Sequence, residues 1–66
     1  MAVAKVIEIS AGSPEGFEQA VQAGVSKAGE SVRGIKSAWV QDHEVKVDGG
    51  TISEYRVNLK VTFVLE

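Results

Sequence analysis

The chain has 66 residues, 44% of them hydrophobic and 24% charged, with no cysteine and a net charge of −2. That is room for one small domain and not for a second lobe or a nucleotide-binding α/β unit. The slight acidity argues against a general nucleic-acid footprint, and the missing cysteines exclude a disulfide framework or a thiolate zinc site.

Size has a further consequence. A core built from fewer than about 70–80 residues rarely supplies more than roughly 3–5 kcal/mol. Disulfides are excluded, and His43 is the only histidine, so a multi-histidine metal site is excluded too. Oligomerisation is the remaining common remedy, and a homo-oligomer is expected. No apolar run approaches the roughly 18 residues of a membrane span. Met1-Ala2-Val3-Ala4-Lys5 has neither a basic n-region nor a long apolar h-region. A cytoplasmic protein with no leader, no membrane partner and no nucleic-acid partner is therefore expected.

Val3 to Ser10 carries Val3, Val6, Ile7 and Ile9 and predicts a short strand, with Lys5 sharing a face with Val3, Ile7 and Ile9. Ala11 to Glu15 predicts a helix start, with Ser13 as N-cap, Pro14 at the first helical position and Glu15 at the positive dipole end. Phe17, Ala20, Val21, Gly24, Val25, Ala28 and Val32 then form one helical stripe. The stripe is thin, because Ala20, Gly24 and Ala28 are small, and a close approach of helix to sheet explains it best. The helix is expected to end between Ser31 and Gly34.

Ile35 to Val47, rich in β-branched and aromatic residues, predicts a second strand. Asp48-Gly49-Gly50-Thr51 predicts a hairpin turn. From Ile52 to Leu65, Tyr55, Val57, Leu59, Val61, Phe63 and Leu65 alternate with Glu54, Arg56, Asn58, Lys60, Thr62 and Val64, which predicts a half-buried strand. The element order is β-α-β-β, an α+β chain.

Pairing Val47 with Ile52 sets Trp39 opposite Lys60, Gln41 opposite Asn58 and His43 opposite Arg56, with Val40 opposite Leu59 and Ala38 opposite Val61. The face turned from the helix then carries Ser37, Trp39, Gln41, His43, Arg56, Asn58 and Lys60. A lone subunit would leave its only Trp in water, so Trp39 packs in a subunit interface, stacks on a planar ligand (the two are compatible in a pocket between subunits), or is an exposed Trp with no role.

With these residues assembled, the chain resembles the dodecins, small β-α-β-β proteins that form hollow dodecamers and commonly bind flavins. The resemblance rests on Lys5-Val6-Ile7-Glu8-Ile9, on Gly12-Ser13-Pro14-Glu15-Gly16-Phe17, on the Ala20 to Ala28 stripe and on Tyr55-Arg56-Val57-Asn58-Leu59-Lys60-Val61-Thr62-Phe63. It covers almost the whole chain without gaps. It implies a single dodecin-like domain over 1–66, a three-stranded antiparallel sheet curled around one helix, and a homododecamer. It also implies a binding and storage role for riboflavin or FMN.

Two positions depart from the family pattern. Flavin-binding members carry a stacking Trp where this chain has Ser37, and Trp39 comes two residues later, roughly 6–7 Å along the strand. They carry a flavin-contacting Gln where this chain has Arg56, whose planar donor fork suits carboxylate or phosphate. The ligand-binding set expected here is Trp39, Ser37, Gln41, His43, Arg56 and Asn58. Arg56 could instead pair across subunits with Glu44, Glu54 or Asp42.

Asp42, Glu44, Asp48 and Glu54 offer oxygen ligands but match no calcium-loop spacing. No activated Ser, paired-carboxylate cleft or phosphate loop stands out, so no catalytic residue is named and no enzyme is expected. The rival to a flavin carrier is a shell that holds a phosphate-bearing cofactor or a metal ion, or one that is mainly structural.

Overall fold

A computed structural model of the chain describes residues 3–65; Met1, Ala2 and Glu66, at the two ends of the expected 1–66 domain, lie outside the described residues. The order is β1 (Val3–Ser13), α1 (Phe17–Ser31), β2 (Ile35–Asp48) and β3 (Thr51–Leu65). The three strands form one antiparallel sheet in the order β1-β3-β2. The most regularly alternating strand therefore sits in the middle, paired along both sides.

The core follows from that alternation. Val57, Leu59 and Val61 of β3 are fully buried beneath the fully buried Ala20 of α1. Ile7, Ile9 and Ala11 of β1 pack around them with Phe17, Val21 and Val25 of the helix. Gly24 is the close-approach residue: a Cβ there would stand 3.0 Å from Leu59 Cδ1 and 3.1 Å from Ala11 Cβ. The thin stripe is thus what lets the helix lie directly on the sheet.

The helix begins later than the sequence signals predict. β1 runs on to Ser13, which pairs with Tyr55 instead of capping the helix, and Pro14 lies outside the helix. Ladder bonds to β3 capture Ala11, Gly12 and Ser13. The Ser13 hydroxyl accepts the Glu15 N–H at 3.0 Å, closing a local turn in place of a cap. Gly16 is the N-cap, and its carbonyl accepts the Ala20 N–H. Ser31 ends the helix, as expected. Gly49 and Gly50, at φ 59° and 80°, form the two-residue hairpin turn with both residues left-handed.

The helix is much shorter than the sheet beneath it. Fifteen helical residues span about 22 Å, whereas fifteen strand residues span about 50 Å. Consequently the molecule measures 51 × 19 × 14 Å, and its radius of gyration is 13.5 Å. A compact chain of this length would have a value of about 11 Å. The helix lies over β1 and β3 and barely reaches β2. Val40, Val45, Val47 and Ile52 are left exposed on or beside that strand. An apolar groove of about 580 Å³ also opens between β1 and the helix, lined by Ile7, Ile9, Ala11, Ala28 and Val32 among others.

Substituting Gly24→Val should drive two methyl groups into Leu59, Ala11 and Ile9. The expected loss is about 1–3 kcal/mol, read as a lower denaturant midpoint. An unchanged midpoint would show that the helix does not seat on the sheet at Gly24.

Candidate functional site

The two faces of the sheet are set by where β2 slips. Trp39 pairs with Lys60, Val40 with Leu59 and Ala38 with Val61, as expected. Beyond Val40 the register shifts by one residue, so that Asp42 pairs with Asn58, His43 with Val57 and Glu44 with Arg56. Gln41 is the extra residue of a β-bulge. The ladder slips at two other places: between Ile35 and Ser37, and near the turn, where Ser53 is left without a ladder partner between the Lys46–Glu54 and Val47–Ile52 pairs and its hydroxyl donates to the Lys46 carbonyl at 3.2 Å.

The expected pairs Gln41–Asn58 and His43–Arg56 are therefore corrected. The physical reason is visible in the apolar spacing. Val40 and Val45 are five residues apart and would fall on opposite faces of an unbroken strand. A one-residue bulge returns both to the helix side, where apolar surface belongs. His43 turns with them. Its imidazole meets the Phe17 ring edge-on, centroids 4.6 Å apart, and Phe17 meets Tyr55 in the same way at 5.1 Å. His43 thus leaves the expected ligand face for an aromatic cluster at the helix start.

The opposite face keeps Ser37, Trp39, Gln41, Arg56 and Asn58 and gains Asp42, Glu44, Glu8, Ser10 and Gly12. Trp39 is 67% exposed, and Lys60 Nζ stands 5.7 Å from its ring centroid. At so open a position that cation–π contact contributes about 0.5–1 kcal/mol. Ser37 is exposed, opposite Thr62.

Arg56 does not point freely outward. Its Nη1 donates to Glu54 at 3.3 Å, and its Nη2 donates to the Ser10 hydroxyl at 3.0 Å. Of the three acidic partners weighed for Arg56 across subunits, Glu54 pairs with it within one chain. Beside it, Glu8, Ser10, Gln41, Asp42 and Asn58, together with Ile9 and Leu59, line a cleft of about 310 Å³. Asn58 Nδ2 donates to Asp42 Oδ1 at 2.5 Å, which fixes both side chains.

The four acidic residues weighed from the sequence do not come together. Asp48 is at the hairpin turn, Glu54 is held by Arg56, and Glu44 lies 3.7 Å from Lys46 Nζ. Only Asp42 enters the cleft, where Glu8 of β1 joins it. The sequence reading missed Glu8 and Ser10; the parity switch between Val40 and Val45 was the available signal for the altered register. Among the described residues no three His, Asp or Glu side chains gather into a metal cage. No described helix is long and apolar enough to cross a membrane.

Comparison with known proteins gives a consistent result. The family model described as Dodecin matches residues 3–66. The chain is 40% identical over 63 residues to the calcium dodecin of Mycobacterium tuberculosis, covering 96% of this chain and 89% of that one. That protein's crystal structure, described as calcium-chelating with a novel calcium-binding site, superposes with a TM-score of 0.84 over 97% of this chain and 91% of its own. A Thermus thermophilus dodecin variant superposes with a TM-score of 0.95 at 32% identity, covering 100% and 98% of the two chains. The Streptomyces davaonensis dodecin does so with a TM-score of 0.94 at 28% identity, covering 98% and 96%.

The new register has a direct spectroscopic check. The His43 ring protons should show nuclear Overhauser contacts to Phe17 and a ring-current shift that Phe17→Ala abolishes. Contacts from His43 to Arg56, with none to Phe17, would restore the unbulged pairing.

Proposed function

Because the chain belongs to the dodecin family, we propose that it is a non-enzymatic, homododecameric binding protein that holds a calcium ion on the outer sheet face. The observation that carries this reading is the donor set of the cleft. Glu8 and Asp42 offer carboxylates, Gln41 and Asn58 offer amide oxygens, and Ser10 offers a hydroxyl. Calcium takes about six to eight oxygen ligands, and every polar side chain lining this cleft can present oxygen. Asn58, by donating to one Asp42 oxygen, orients the carboxylate and leaves its second oxygen available. Two carboxylates do not complete a calcium shell, so water or a neighbouring copy supplies the rest. Similarity to the M. tuberculosis calcium dodecin supports the same ligand.

Assembly is supported by the uncovered apolar surface on β2 and by Trp39. A Trp left two-thirds in water in one subunit gains most from burial between subunits or beneath a ligand. A second reading, a carrier of riboflavin or FMN, is favoured by that open indole on the outer face. Against it stand Ser37 in place of the family's stacking Trp, and Arg56, committed to Glu54 and Ser10, in place of its flavin-contacting Gln.

Titrating metal-stripped protein with CaCl2 by calorimetry separates the two. Saturable calcium binding, weakened about tenfold or more in Asp42→Asn, is expected, with no quenching of FMN fluorescence at about tens of micromolar protein. Absence of calcium binding, together with saturable FMN quenching that Trp39→Ala abolishes, would overturn calcium in favour of flavin.

A further inference from the structure

Gly12 pairs with Arg56 across the β1–β3 ladder, and the Arg56 side chain folds back over it. A Cβ at Gly12 would lie 2.5 Å from Glu54 Oε2 and 2.8 Å from Arg56 Nη1. The ion pair therefore occupies the space that a side chain at residue 12 would fill. Its far end reaches Ser10, a residue of the polar cleft, at 3.0 Å. A permanent cation thus stands at the wall of a cleft that also carries Glu8 and Asp42.

We propose that Gly12, Glu54 and Arg56 form a latch that decides the charge of ligand the outer face accepts. The proposal rests on the calcium reading and deepens it. With the latch closed, Glu54 offsets the guanidinium, and the two carboxylates set the potential of the cleft. With the latch open, an uncompensated guanidinium beside Ser10 repels a divalent cation and offers planar N–H donors to phosphate oxygens. Gly12 is the positioning residue, because only a missing Cβ allows Glu54 and Arg56 to lie flat across β1.

The atoms that crowd Gly12 are the ends of flexible side chains, so Gly12→Ala displaces the pair without breaking the strand. Glu54→Gln removes the charge and keeps the shape. Glu44 is the ladder partner of Arg56 and can replace Glu54. The double variant Glu44→Gln/Glu54→Gln closes that route.

The experiment is calorimetric titration of the assembled protein with CaCl2 and, separately, with inorganic phosphate, with particle size checked by light scattering. Native protein should bind calcium and not phosphate. Glu54→Gln, Gly12→Ala and the double variant should bind calcium about three- to tenfold more weakly and acquire phosphate binding. Both pair residues are partly exposed, so screening limits the effect, and it should fade at high salt. Arg56→Gln should bind calcium at least as well as native protein and take no phosphate. Native-like calcium affinity without phosphate binding in the single and double variants would overturn the latch. If native protein takes no calcium, the calcium reading fails, and the latch is then decided by phosphate alone: binding gained by the double variant supports it, and no gain overturns it.

Discussion

The structure depends on how little the helix can cover. One row of β3 side chains, Val57, Leu59 and Val61, is sealed by a helix seated at Ala20 and Gly24. Among the described residues, that row is the whole of the fully buried sheet. Each buried aliphatic side chain contributes about 1.5–3 kcal/mol, and the row is short. The helix spans less than half the length of β3, the strand it rests on. What lies beyond it, the helix-side face of β2 and the indole on the outer face, stays exposed in the single chain.

The bulges decide which side chains share the outer face. An unbroken β2 would set Val40 and Val45 on opposite faces, with His43 opposite Arg56. Inserting Gln41 returns both valines to the helix side and sends Asp42 to the outer face beside Asn58. The same slip takes His43 to Phe17, so the aromatic cluster at the helix start and the oxygen-rich cleft are two results of one extra residue. Gly12 has a comparable role on β1, where the missing side chain decides what can lie across the strand.

Much of the fold can be read directly from residues. Strict alternation in β3, a helical stripe with small residues at its centre, and a Gly-Gly turn between two β-rich runs each point to one element, and all three agree. The N-cap could not be read so easily. Ser13 and Pro14 carry strong local signals for a helix start, but the pairing of Ala11 to Ser13 with β3 is a tertiary effect that overrides them. The same holds for the site. Trp39, Ser37, Gln41, Arg56 and Asn58 follow from face alternation alone. The departure of His43 and the arrival of Asp42 require the bulge, whose only trace is the five-residue gap between Val40 and Val45. Glu8 and Ser10 require the strand order β1-β3-β2, which no local pattern specifies.

The proposed assembly makes folding and subunit association one equilibrium. Thermal or denaturant unfolding followed over a hundredfold range of protein concentration tests it most directly. An obligate assembly has a midpoint that rises with concentration, because subunit binding is part of its stability. The expected result is such a rise, with loss of secondary structure coincident with dissociation. A midpoint independent of concentration, with a folded 7.0 kDa species surviving dilution, would contradict it.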